Sequence, residues 1–181
     1  MFFTDQEKKE LLRVSRETLN TYLNNFSEPH FETTSENLLK NYACFVTLND
    51  KKTNELRGCR GETTASRPLI QSVVKMTIAS AVDDPRFFPV ILKEVPDIKI
   101  EINVLSEMYE ITVDEVEVGK HGLLIKKGYL AGLLLPQVPI HNNWDKEKYL
   151  RQLCKKAGLS TDAWQSPDTN LYGFETSEWS E

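Results

Sequence analysis

Apolar positions recur with a helical period at the start of the chain, where Leu11, Leu12, Leu19, Tyr22 and Leu23 stand among charged residues. With Thr4 placed to cap the first turn, this pattern predicts an amphipathic helix at the N-terminus, within residues 1–23, lying on the core as a buttress. Residues 24–37 have no period, mix proline with serine, threonine and glutamate, and read as a connecting loop. A β-rich run over 42–48, turn chemistry over 49–54 and an extended stretch from 55 to 59 then predict a hairpin. The clearest helix follows. Leu69, Ile70, Val73, Val74, Ile78, Ala81 and Val82 fall on helical spacing, Pro68 suits a first turn, and the pattern stops at Asp83-Asp84-Pro85.

Arg86-Phe87-Phe88-Pro89, held between prolines, reads as a packed aromatic loop. Residues 98–104 alternate strictly, as in a strand with one face in the core. Residues 123–125 and 129–135 flank Lys126-Lys127-Gly128 as a second hairpin, stopped by Pro136. A helix over 145–157 with Gly158 as its stop and a short strand over 171–176 complete the pattern. Strands cluster in hairpins instead of alternating with helices, so the expected fold class is α+β with mostly antiparallel sheet.

Composition narrows the function classes. A chain of 181 residues with 40% hydrophobic and 27% charged side chains can bury a real core, and no segment approaches the ~20 apolar residues of a membrane helix. Twenty-two basic against 27 acidic side chains give a net charge of −5, which argues against finding nucleic acid through the overall field. The expected location is cytoplasmic, with no membrane contact. Cys44, Cys59 and Cys154 are odd in number and far apart, without Cys-x-x-Cys or paired histidines, so neither a disulfide framework nor a structural metal is expected, and no cofactor is implied.

One stretch departs from this ordinary texture: Leu56-Arg57-Gly58-Cys59-Arg60-Gly61. If extended, it projects Arg57 and Cys59 to the same side, where a guanidinium would favour a thiolate. Gly58 and Gly61 remove bulk, so that a ligand or another backbone can approach. The next helix begins near Pro68, and its first amides would favour an anion. Three of the seven arginines, Arg57, Arg60 and Arg67, lie here. A structural alternative stands beside this one: a strand end with an apolar cysteine and arginines paired with Glu55 and Glu62. As a nucleophile Cys59 would need a base, with His121 and His141 as the candidates. His121 reads as exposed in a glycine-flanked turn, Gln137 as a fixed pocket donor, Cys44 and Cys154 as core residues, Trp144 as a packing staple, and Asp83-Asp84 as helix-end loop residues.

Taken in order, the blocks Cys44-Phe45-Val46-Thr47-Leu48, Leu56-Arg57-Gly58-Cys59-Arg60-Gly61, Asp84-Pro85-Arg86-Phe87, Gly119-Lys120-His121-Gly122-Leu123 and Gly132-Leu133-Leu134-Leu135-Pro136-Gln137-Val138 resemble the hallmarks of the AMMECR-one domain family. Trp144-Asp145 and Leu153-Cys154-Lys155-Lys156-Ala157-Gly158-Leu159 continue the resemblance. It implies one AMMECR-type domain over residues 1–181, an α+β fold of two packed lobes with the Leu-Arg-Gly-Cys motif near the cleft between them. The family pattern usually has isoleucine where this chain has Arg60, a position facing away from Cys59. The arginine there would either add a salt bridge or replace a core contact. Family association suggests Memo-like or radical SAM proteins as partners, and translation-related or nucleic-acid binding has also been proposed for the family.

The expected site is therefore Arg57, Gly58, Gly61, Arg67, Arg86, His121 and Gln137 around a small anionic ligand or a macromolecular group, with Cys59 as the candidate catalytic thiol. The rival readings are a non-enzymatic adaptor that docks a protein partner and a nucleic-acid binder. Oligomeric state is left open by the sequence.

Overall fold

In the computed structural model, which describes residues 3–181, Thr4 and Glu7 cap α1 (Asp5–Asn25) reciprocally. The Glu7 amide donates to the Thr4 hydroxyl at 3.2 Å, and the Glu7 carboxylate accepts the Thr4 amide at 2.8 Å. Leu11, Val14 and Leu19 repeat on one face and are buried. That face packs along α2 (Leu69–Val82), where Ser15 and Thr77 share a buried hydrogen bond of 2.7 Å. The chain divides into two compact units. The first runs through Leu105 and takes in Ser177–Glu181, and the second is Ser106–Thr176.

The first unit is built on a four-stranded sheet ordered β2-β1-β3-β8, from β1 (Cys44–Asp50), β2 (Leu56–Gly61), β3 (Ile98–Leu105) and β8 (Thr176–Ser180). β1 pairs antiparallel with both β2 and β3. Period-two alternation sends Cys44, Val46 and Leu48 of β1, and Ile98, Ile100, Ile102 and Val104 of β3, into a core shared with α1 and α2. Phe45, Thr47, Lys99 and Glu101 therefore occupy the opposite face. Strand β2 lies at the edge of this sheet.

The second unit carries a sheet ordered β4-β7-β5-β6, from β4 (Tyr109–Glu110), β5 (Gly122–Lys127), β6 (Leu130–Leu134) and β7 (Asn170–Phe174). The β5–β6 hairpin closes through Gly128 and Tyr129, and Gly128 takes the positive φ of 59° that such a two-residue turn requires. After the short α3 (Gln137–His141), α4 (Lys146–Lys156) is capped by Asp145 and buries Tyr149, Leu150, Leu153 and Cys154 against Leu123, Ile125 and Leu134.

Helices and two antiparallel sheets make the chain α+β, as the hairpin pattern predicts. The end of the chain differs from expectation. The strand predicted over 171–176 is two strands, β7 and β8, and β8 joins the first sheet beside β3. Among the described residues, no helix is long and apolar enough to cross a membrane.

Candidate functional site

Because β2 alternates, Gly58 faces α2 while Arg57 and Cys59 share the other side. The approach at Gly58 is close: a Cβ there would stand 2.1 Å from the Ser80 carbonyl oxygen. The Ser80 hydroxyl donates to the Val46 carbonyl at 2.7 Å and accepts the Arg60 amide at 2.8 Å, which locks α2 onto β1 and β2. The backbone that Gly58 admits is thus the protein's own. At Gly61 the space is filled by the Phe45 ring, 2.1 Å from where a Cβ would be. Arg60 is exposed, with its amide tied to Ser80; in place of the usual isoleucine it adds no core contact.

Ser80 lies in the last turn of α2, so the helix approaches the motif with its C-terminal end. This corrects the expectation that the helix start joins the thiol. The first amides of α2, those of Leu69 and Ile70, are moreover occupied by the carbonyls of Lys40 and Leu38 at 2.9 and 3.2 Å. What the helix delivers beside Cys59 is the segment after it, Asp83-Asp84-Pro85-Arg86. As an edge strand, β2 has backbone groups without a strand partner, and the Cys59 amide donates to Asp84 Oδ2 at 2.8 Å.

Asp84 is the hinge of the site. Its side chain is 3% exposed, and it also accepts the Arg86 amide at 3.1 Å, Arg86 Nε at 2.9 Å and Arg86 Nη2 at 2.6 Å. The Arg86 guanidinium, with the Cys59 and Arg86 amides, holds the Asp84 carboxyl far below the usual range despite its burial. Arg86 is in turn kept protonated by Asp84 first, with a contribution from the Cys59 sulfur. Its side chain is 56% exposed and lies over the Phe87 ring, 5.5 Å from the centroid.

Arg57 is held from the other side. Its Nε and Nη2 donate to Glu94 at 2.9 and 3.2 Å, and its Nη1 donates to the Phe88 carbonyl at 2.9 Å. Arg57 also draws the Glu94 carboxyl below its ordinary pKa, assisted by the Ile91 amide. The loop is thereby fixed at Asp84 and at Phe88, and Phe88 itself is 92% exposed. Arg57, Pro85, Arg86, Phe87 and Phe88 line an open pocket of about 460 Å³.

Cys59 is half-buried, and its sulfur accepts the Thr47 hydroxyl at 3.3 Å. Cys44 and Cys154 are buried, and burial raises the pKa of both thiols, as suits core residues.

The remaining expected residues are held as follows. Arg67 pairs with Glu62 at 2.6 Å, as the structural alternative anticipates, and lines a separate pocket of about 240 Å³ with Glu28, His30 and Lys75. Arg57 takes Glu94 in place of the anticipated Glu55. His121 and Gln137 belong to the second unit. His121 is not exposed in a turn: it is buried, its Nδ1 accepts the Glu117 amide at 3.1 Å, and its carbonyl accepts the Tyr149 hydroxyl at 3.2 Å. The bond from the Glu117 amide to Nδ1 places the proton of a neutral imidazole on Nε2. Among the described residues, no three His, Cys, Asp or Glu side chains cluster as metal ligands.

The family model AMMECR1 matches residues 12–179. The chain belongs to the AMMECR1 family. It is similar to protein MK0488 of Methanopyrus kandleri, 36% identical over 98% of this chain and 90% of the relative. Protein PH0010 of Pyrococcus horikoshii is 41% identical over 91% of this chain and 84% of its own. The crystal structure of that uncharacterized protein superposes with a TM-score of 0.88, covering 99% of this chain and 93% of the other at 38% identity.

Two blocks that carry the AMMECR1 resemblance, Leu56 to Gly61 and Asp84 to Phe87, meet through the bond from Cys59 to Asp84 across a separation of 25 residues. Asp84, Thr47 and Glu94 were not legible as site residues. Asp84 and Arg86 around Pro85 offered the only usable signal, an acid and a base two positions apart in a rigid turn.

Proposed function

We propose that the 84–88 loop and Arg57 form a recognition site for a small molecule, or a group on a macromolecule, that carries an anion, and that the bound group is presented to Cys59. The observation that supports this reading is Arg86. Asp84 engages its Nε and Nη2, which leaves Nη1 as the outer edge of a half-exposed side chain that lines the pocket with Phe87 and Phe88. Such an edge suits a carboxylate or phosphate, and the aromatic rings suit an apolar body. Arg57 acts as a brace for the loop, because its donors are engaged by Glu94 and the Phe88 carbonyl.

The test is a thermal-shift screen with carboxylate- and phosphate-bearing metabolites on wild type and Arg86→Gln. Binding to the folded form raises the transition by mass action. A metabolite that stabilises wild type and not the variant supports the site. A full panel without any stabilisation, or gains equal in both proteins, removes it.

A second reading, an adaptor that docks a protein such as a Memo-like partner, is favoured by one feature: the rigidly held, almost fully exposed Phe88, with Ile91 and Leu92 also exposed. It predicts that Phe88→Ser abolishes the complex while Cys59→Ala leaves it intact. Nucleic-acid binding gains no support from this region. Arg57, Arg67 and Arg86 each carry a carboxylate, which removes the excess positive charge such binding uses.

A further inference from the structure

The outer face of the first sheet carries a row of side chains that anion recognition does not use. Thr47 of β1 stands opposite Cys59 of β2 on one side and opposite Glu101 of β3 on the other. Directly facing residues on one sheet face have Cβ atoms about 4.5–5.5 Å apart. Thiol, hydroxyl and carboxylate thus follow in order across three strands. The first link is closed, since the Thr47 hydroxyl lies 3.3 Å from the Cys59 sulfur. The second rests on register: Thr47 and Glu101 are facing residues on paired strands.

The charged neighbours of this row are few. Cys59 has Arg57 with Glu94 on its own side of β2, and Arg86 with Asp84 from the loop after α2. Glu101 has Lys99 on its own strand and Glu178 of β8, whose carboxylate accepts the Asn103 amide at 2.7 Å. Burial first, and then the charge of Glu178, raise the Glu101 pKa above its ordinary value. That makes it a stronger base than a solvated carboxylate.

We propose that Glu101, acting through the Thr47 hydroxyl, is the positioning residue that accepts the proton of Cys59 as its sulfur attacks an acyl carbon. The inference rests on reading Cys59 as the thiol of the anion-binding site, and it names the substrate class: acyl compounds that carry an anionic group. In the structure the Thr47 hydroxyl donates to the sulfur; once it turns to donate to a Glu101 carboxylate oxygen, the S–H proton passes to the Thr47 oxygen while the Thr47 O–H proton passes to Glu101. The sulfur lone pair forms the S–C bond, and the carbonyl π pair moves onto oxygen. It returns as the leaving group departs with its bonding pair, and the Glu101 proton neutralises that group, leaving a thioester on Cys59.

A carboxylate that merely neighbours a thiol acts in the opposite direction. It repels the thiolate, so its removal speeds reaction. The sign of one substitution therefore decides. The full chain is treated with p-nitrophenyl acetate between pH 5 and 9, reading p-nitrophenolate release and the mass of the Cys59 peptide. This probe has no anionic group, so loss of ligand binding cannot imitate loss of the proton acceptor.

Wild type is expected to hold a rate plateau below the ordinary thiol titration near about 8.5. Glu101→Gln loses that plateau and reacts about tenfold or more slowly at pH 7. Thr47→Val behaves like Glu101→Gln, and Thr47→Ser restores the plateau. Unchanged thermal transitions of the variants exclude unfolding as the cause. Acylation of Glu101→Gln at the wild-type rate or faster overturns the proposal, as does wild-type acylation of Cys59 no faster than of Cys44 and Cys154. Stabilisation by the anionic metabolite panel would survive either result, which separates the failure of the proton acceptor from the failure of the binding site.

Discussion

Replacing Asp84 by asparagine keeps the shape of the side chain and removes its charge. The wild-type carboxylate, almost fully buried, accepts four hydrogen bonds, from the amides of Cys59 and Arg86 and from Nε and Nη2 of Arg86. Asparagine turns one acceptor into a donor that must face another donor. Hydrogen bonds to charged groups contribute about 1.5–3 kcal/mol each, and breaking a buried ion pair by removing one partner costs about 3–5 kcal/mol. Arg86, more than half exposed, can return to water, which brings the expected cost down to about 2–3 kcal/mol. At about 2–4 °C per kcal/mol for a chain of this size, the melting transition should fall by about 5–10 °C.

The pH dependence has a definite sign. The folded-state pKa of Asp84 is depressed, so its contribution is present above the unfolded value near about 3.9 and is lost as pH falls through the folded value. The gap between wild type and Asp84→Asn should therefore be full at pH 7 and close steadily as pH falls from about 5 toward 2. Urea unfolding at a series of pH values measures both quantities. A variant within about 0.5 kcal/mol of wild type at pH 7, or a gap independent of pH, would refute the reasoning.

Gly58→Ala drives a Cβ onto the Ser80 carbonyl, which belongs to helix backbone and cannot rotate away; a loss of about 2–3 kcal/mol is expected in the urea midpoint. Glu101 has a raised folded-state pKa, so its ionisation costs stability as pH rises through the unfolded toward the folded value. Glu101→Gln should then match wild type at pH 4 and equal or exceed its melting temperature at pH 7.5, and a clear loss at pH 7.5 would contradict this. Arg57→Ala frees the Phe88 carbonyl and Glu94; amide exchange at Phe87 and Val90 should quicken by about tenfold or more, while the buried end of α1 keeps its protection.

Much of the fold was legible because its residues obey a local period. The apolar stripe from Leu69 to Val82 and the alternation from Ile98 to Val104 depend on nothing beyond their own segments, and both form where expected. Strand β8 was not legible: Thr176–Ser180 has no run of apolar alternation, and it forms by pairing with a strand more than seventy positions earlier. The pairing of Arg57 and Cys59 on one side of β2 followed from strand geometry alone. The direction from which α2 would arrive did not. Helix polarity relative to a neighbouring strand is a tertiary fact, and with it came Asp84 in place of free amides. His121 was misplaced because flanking glycines suggest an exposed turn, whereas here Gly122 clears room for the Phe174 ring and the histidine is buried.

The account turns on a thiol that solvent can reach, set between a guanidinium and a hydroxyl, while the other two sulfurs lie in hydrocarbon. Peptide-resolved iodoacetamide alkylation of the folded protein tests this most directly. Cys59 should be modified at least tenfold faster than Cys44 or Cys154, which react only as the chain opens. Three equally slow cysteines would contradict a chemical role for the motif and leave it a packing element.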